Sequence, residues 1–263
     1  MPCNSTIMVY PPLWHRLYSV WYRHVRVYTR HLISNGFPPF LEPLIFLGGI
    51  GLGMVRYVTS MDGMPYLQFL GTGLPLTAAM YTSAFECSYG TWVRMEYEHV
   101  YDGMLAAPLT AGNLMIGEIL FAGTKGAFFS FAVITVVGLF HVIPFPVSYL
   151  AVSVGFLTGV MFACLSLFVT SFVKNMNHFN FYMTGLLSPM FFFSGVVFPI
   201  QNLPKALWPV AEVFPLTHAV RLARAIALTR YSVNLLWDLL YIVVFCLIVG
   251  FFAVRRLRRK LIN

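Results

Sequence analysis

Four ionisable side chains sit where a sequence tolerates charge least: Glu42, Glu86, Glu118 and Lys125 each fall inside a long apolar run. A charge at the centre of a bilayer costs on the order of 2.5–3.5 kcal/mol by insertion scales, so such groups are kept for pairing or for function. Glu42 precedes Pro43 at the start of its run, and Glu86 and Glu118 lie near the ends of theirs, where the penalty is smaller. Lys125 is deeper, ~12–18 Å from the nearer end at ~1.5 Å per residue. Glu118 and Lys125 are seven residues apart, so they share one helical face, which is expected to point into the protein. Two readings stay open for Lys125: an ion pair between helices that fixes packing, and a polar lining on a substrate route.

Other reactive residue types assemble nothing. The seven histidines, His15, His24, His31, His99, His141, His178 and His218, are spread along the chain without a recognised metal-ligand spacing. Cys3, Cys87, Cys164 and Cys246 are scattered, three of them within apolar runs, and read as small buried side chains. The run GGIGLG at 48–53 lacks the register of a dinucleotide loop and is embedded in apolar sequence. Gly49 with Gly53, and Gly155 with Gly159, are pairs that let helices approach closely. No metal, cofactor or catalytic set is expected on this chain.

Two groups of charges lie outside the apolar runs. Residues 91–113 carry Arg94, Glu96, Glu98 and Asp102, three of the chain's nine acidic groups, ahead of a helix-ending Pro108. A short charged helix there suits a docked protein surface; a solvated connector is the plainer reading. Residues 13–33 project as an amphipathic helix, with Arg16, Arg23, Arg26 and Arg30 within an arc of about 80° and Trp14, Leu17, Tyr18, Trp21, Val25, Tyr28 and Leu32 opposite. A helix so divided is expected along a membrane surface, as an anchor or as a partner's contact.

The elements that must hold these groups follow from composition. Hydrophobic residues are 59% of 263 and charged residues 10%, against about a quarter charged in soluble domains. Six runs reach the roughly 20 residues needed to span a bilayer: 37–56, 66–90, 114–140, 147–173, 179–199 and 234–254. They leave no room for a separate soluble domain, so residues 1–263 read as one all-α polytopic membrane domain. With both termini cytoplasmic, eleven Lys and Arg lie inside and five outside, the expected bias. The net charge of +8 is then a topology signal facing anionic lipid and calls for no nucleic acid. No cleavable leader is evident ahead of Phe37, and the first span is expected to act as its own insertion signal.

Pro204, Pro209 and Pro215 interrupt residues 200–233 too often for a span. Two short helices dipping into the outer interface are expected, Trp208 and Phe214 towards lipid, Arg221 and Arg224 towards water. Before them, the aromatic run 179–199 includes Phe191, Phe192 and Phe193. It reads as lipid-facing bulk, or as the wall of a path for a large amphipathic molecule.

Three stretches in this order and spacing, RMEYEHVYDGMLAAPLTAGNLMIGEIL at 94–120, SPMFFFSGVVFPIQNLP at 188–204 and FPLTHAVRLARA at 214–225, resemble the permease subunits of type-2 ABC exporters. The branch most similar includes the nodulation lipo-oligosaccharide and daunorubicin-type exporters, and the resemblance covers nearly the whole chain. It implies that 94–108 is a coupling segment meeting the ATPase through Arg94, Glu96, Glu98 and Asp102, that 13–33 is an interface helix and that 200–233 is an outer re-entrant hairpin. It also implies a second copy of the chain, two ATPase subunits carrying ATP and Mg, an amphipathic substrate and a bacterial inner membrane. The chain has no Gly-Lys dipeptide, so a phosphate-loop lysine must come from another polypeptide. Lys125 matches no motif of the family, and any role for it rests on its own position.

The expected protein is therefore a conduit driven from outside, not an enzyme by itself. Two rivals stand beside it. An intramembrane lipid-modifying enzyme would need Glu42, Glu86 or a histidine to converge at one depth. An ATP-independent channel or secondary transporter would show inverted repeats, and none is visible.

Overall fold

The structure, a computed structural model, describes residues 10–55, 57–58, 60–144, 146–229 and 234–262. Cys3, Arg56 and Arg230, and the side chain of Glu42, lie outside the described residues.

The fold is overwhelmingly helical. α1 (Leu13–Thr29) and α2 (Leu32–Gly36) lead into α3 (Pro38–Phe46), which passes through a π turn at Leu47–Gly51 into α4 (Leu52–Val55). A two-residue β-ribbon follows, β1 (Ser60–Met61) against β2 (Met64–Pro65), and departs from an all-helical layout. Its turn is Asp62-Gly63, both at positive φ of 50° and 71°, the geometry that two-residue hairpins favour. Then come α5 (Tyr66–Phe85), α6 (Val100–Leu105), α7 (Ala111–Leu139) and α8 (Ala151–Thr170). The chain ends with α9 (Phe179–Tyr182), α10 (Ser188–Phe193), α11 (Trp208–Val213), α12 (Pro215–Ala227) and α13 (Asn234–Ile262).

Among the described residues three helical stretches are long and apolar enough to cross a membrane: Ala111–Leu139, Val147–Thr170 and Asn234–Leu261. Of the other expected spans, 37–56 and 179–199 are broken by i→i+5 turns, between α3 and α4 and between α9 and α10, while 66–90 holds the unbroken α5 followed by such a turn at Glu86–Gly90. Such turns insert a residue and shift the helical face. Sequence periodicity does not reveal them, because these segments are apolar all round.

α7 begins where Thr110 accepts a hydrogen bond from the Asn113 amide at 3.2 Å, two residues past Pro108. Its packing against α8 is set by small residues. A Cβ built on Gly155 would lie 2.4 Å from Ser130 Cβ, and one on Gly126 would lie 3.0 Å from Gly159 Cα. The two backbones therefore nearly touch, as the Gly155–Gly159 spacing leads one to expect. The Gly49–Gly53 pair behaves otherwise: a Cβ at either would meet nothing within 4 Å. Ser83 ties α5 into the same core by donating to the Ala122 carbonyl at 2.9 Å.

α1 leans on the first half of α7. Val20 packs where Gly117 leaves room, and the Trp21 indole donates to Thr124 Oγ1 at 3.2 Å. Of the face read from the sequence, Trp14 and Tyr18 are exposed and Leu17, Trp21, Val25 and Tyr28 half-buried, whereas the residues of α1 fully buried against the protein are Val20 and His24, beside that face. α13 runs eight residues past the expected limit of 254, so Arg255–Lys260 are helical. The end of the molecule holding that run is called the basic end below, and the end holding α11 and α12 the far end.

Candidate functional site

At the basic end, α5 closes on Glu86 and enters two π turns in succession, Glu86–Gly90 and Val93–Tyr97. The under-wound backbone returns Arg94 to the side of Glu86. Its Nη1 donates to Glu86 Oε1 at 2.6 Å, its Nη2 to the Glu86 carbonyl at 3.2 Å, and its Nε to Glu118 Oε1 at 3.0 Å. Glu118, on α7, is 1% exposed and also accepts from Thr91 Oγ1 at 3.1 Å and from the Tyr101 hydroxyl of α6. Lys125, two turns along α7, reaches across to Glu86 Oε2 at 2.8 Å beneath the ring of Tyr28. His24 of α1 completes the group, its Nε2 3.8 Å from Glu118 Oε1 and its ring stacked on Phe121.

Two carboxylates face two cations here. Desolvating each charge costs several kcal/mol, and only close, hydrogen-bonded opposition offsets that cost. Arg94 is shared by both carboxylates and Glu86 by both cations, so the cluster fixes α1, α5, the π turns, α6 and α7 in one arrangement. Burial pushes the His24 imidazole down to about 4, against the pull of Glu118, so the ring sits there neutral.

The cluster also meets the geometric condition for an acid–base enzyme, since two carboxylates and a histidine converge. Each carboxylate, however, is committed to a cation, and none of the cavities described below is lined by Glu86, Glu118 or His24. The arrangement holds elements together.

The four residues read as a coupling set divide. Arg94 turns inward. Glu96 pairs with Lys260 at 3.2 Å, whereas Asp102 is 74% exposed near His99, and Glu98 is exposed beside Tyr97. Arg26 on α1 and Arg30 just past its end are exposed, and Arg16 and Arg23 half-buried. Lys125 forms the interhelical ion pair, though with Glu86 and not with its own-helix neighbour Glu118.

Of the residues placed on a substrate route, Phe191 lines a cavity. A mainly apolar cavity of about 380 Å³ is walled by Pro39, Pro43, Phe46, Phe85, Phe129 and Phe191, with Thr77, Tyr81 and Thr82 also in its lining. Phe192 packs edge-on to Phe191 and is half-exposed, Phe193 is half-buried, and Lys125 does not line the cavity.

The far end carries a second polar group. His218 Nδ1 lies 2.7 Å from Asp238 Oδ1 and its Nε2 2.9 Å from the Glu212 carbonyl, with the ring stacked on Tyr241. Arg221 donates to Asp238 at 3.1 Å and to Glu212 at 2.6 Å. Two expectations are corrected here. Arg224 points inward, donating to Thr72 Oγ1, Phe69 O and Gly195 O over the Phe69 ring, and burial holds its guanidinium down at about 10. Phe214 packs against the apolar core. Both follow from α12, whose Leu216, Ala219, Val220 and Ala223 face is buried and carries its neighbours inward. A cavity of about 510 Å³ opens beside Arg221, Arg224, Ser194 and Trp208.

Sequence reasoning missed His24, Thr91, Tyr101, His218 and Asp238. Asp238 was findable, because it too is a charge inside an apolar run. The others are polar groups whose partners lie on different elements, which one-dimensional spacing does not show.

Residues 15–228 match the family described as ABC-2 type transporter. Nodulation protein J of Sinorhizobium fredii is 31% identical over 245 residues, covering 93% of this chain and 94% of the relative. Nodulation protein J of Bradyrhizobium diazoefficiens is 29% identical over 263 residues, covering 100% and 97%. The inner membrane transport permease YadH of Escherichia coli is 24% identical over 209 residues, covering 79% and 80%.

Proposed function

The chain belongs to the ABC-2 type transporter family, and from that premise we propose that it is the permease of an exporter whose ATP is hydrolysed on a separate subunit. It crosses a bacterial inner membrane six times with both termini cytoplasmic, the basic end inside. Two permease chains act with two ATPase subunits, which hold ATP and Mg.

The observation that carries this reading is the build of residues 86–108. From within, Arg94 bolts the connection to α5 and α7; outward, the same connection presents Tyr97, Glu98 and Asp102. A connection anchored in this way passes a push from a docked protein into the membrane helices instead of absorbing it. Biasing two arrangements of the membrane helices is all that the nucleotide needs to do. The cargo is an amphipathic molecule such as a lipo-oligosaccharide, a lipid-linked glycan or a drug-like compound, and the apolar cavity lined by Phe191 supports its hydrophobic part.

The test is affinity purification of the tagged full-length chain from its host membranes in mild detergent. ATP hydrolysis is expected to co-purify, and Glu98→Lys with Asp102→Lys to lower it at least tenfold while the permease elutes as before. Undiminished ATPase association in the double variant overturns the coupling assignment. Cargo flux in vesicles holding the permease alone overturns the exporter reading itself.

A further inference from the structure

At the basic end, the end of α8 and the last turns of α13 enclose a groove of about 370 Å³ lined by Phe168, Phe172, Phe252, Arg255, Arg256 and Arg259. The α13 members stand at i, i+3, i+4 and i+7, hence on one face. Arg256 lies over the Phe172 ring at 3.7 Å, and Phe168 meets Phe172 edge-on at 5.0 Å between centroids. Among the described residues no carboxylate lies within 4.0 Å of these three guanidinium groups, and Glu96 on the neighbouring connection is taken by Lys260. Three cations on one face repel each other, and no carboxylate of the described residues pairs with them. Phe172 and Phe252 beside them are half-exposed.

The order of the two chemistries along α13 is informative. Phe252 lies one turn nearer the middle of the helix than Arg255 and two turns nearer than Arg259, so the apolar wall sits at greater membrane depth than the charges. A ligand must therefore be anionic at the surface and apolar beneath it. We propose that this groove binds one anionic phospholipid, its phosphate between Arg255 and Arg259 and an acyl chain along Phe252, Phe168 and Phe172. A soluble anion lacks the part that the phenyl wall requires. Clusters of arginine at a cytoplasmic helix end attract anionic lipid generally; the enclosing aromatic wall is what makes this a site. Occupancy has a consequence one turn further on. Lys260 donates to the Val173 carbonyl at 3.3 Å, pairs with Glu96 and lies over Trp92, so the lipid braces the helix end that holds the connection 93–97.

The proposal rests on the membrane placement alone and is independent of the ATPase. Full-length chain is reconstituted in vesicles of phosphatidylglycerol and phosphatidylethanolamine, re-extracted, and its retained lipid counted by native mass spectrometry. One phosphatidylglycerol per chain is expected, at least tenfold over phosphatidylethanolamine. R255Q/R259Q is expected to lower that retention at least fivefold, while R23Q/R26Q, which removes equal charge from α1, leaves it unchanged. Equal retention of both lipids, equal loss in both variants, or a lipid-free dimer that R255Q/R259Q dissociates overturns the proposal. Should R255Q/R259Q not accumulate, thermal denaturation of the unaltered chain decides. Short-chain phosphatidylglycerol is expected to raise the midpoint where inorganic phosphate at equal concentration does not, and equal shifts overturn the site.

Discussion

The two ends of this molecule solve the same problem, charge near lipid, in different ways. At the basic end Glu86, Glu118, Arg94 and Lys125 are matched two against two, inside, by groups drawn from α5, α7 and the connection between them. At the far end Arg221 and Glu212 are 39% and 50% exposed by side chain, and only Asp238 and His218 are enclosed. A buried, closed set tolerates one arrangement; a half-wet one exchanges partners with water at little cost. Under the proposed coupling, the stiffer set lies where a docked partner would push, and the looser one in the segment of α11 and α12.

The sharpest way to break that contrast is to take out its inner centre. Arg94→Met leaves the buried Glu118 without its guanidinium and Glu86 with Lys125 alone, and is expected to cost about 3–5 kcal/mol, read as a lowered thermal midpoint in detergent. Adding Glu118→Gln should recover part of the loss, and no recovery would show that Arg94 acts otherwise than by charge.

Acid offers a milder assault on the same place. The folded His24 value of about 4 lies below the ordinary 6.5, so the unfolded chain takes the proton first on acidification. Stability from this residue is complete above pH 6.5 and falls as pH drops towards 4, by up to about 3 kcal/mol. His24→Phe, which keeps the stack on Phe121, should flatten that part of the pH–midpoint curve.

Lys125→Met removes one charged bond from Glu86 but leaves the bond to Arg94, so about 1–3 kcal/mol is expected. Glu212→Gln at the far end should change the midpoint by only about 0–1 kcal/mol. A far-end loss matching that of Arg94→Met would erase the distinction between the ends.

The sequence makes this contrast half visible. Glu86, Glu118 and Lys125 announce themselves because charge in an apolar run demands an explanation, and the Gly155–Gly159 spacing predicts the close pass of α8 over α7. Arg94 carries no such signal. It reads as part of a surface loop, and only the π turns at 86–90 and 93–97 swing it inward. Those turns reflect tertiary packing, which overrides a periodicity too uniform to mark them. Arg224 misleads for a related reason. Next to Arg221 in type and near it in sequence, it lies on the side of α12 that the small residues Ala219 and Ala223 bring against the core.

α13 adds one more consequence. Near its start Asp238 and Tyr241 are held by His218, Arg221 and the Val213 carbonyl, and at its finish Lys260 is held by Glu96, Val173 and Trp92. Roughly 33 Å of unbroken helix separates these attachments at ~1.5 Å per residue, and most of that length faces outward. A continuous helix pinned near both ends cannot shorten. A tilt imposed on the pin at the basic end reappears at the far-end pin, giving the two ends of the molecule a direct mechanical link.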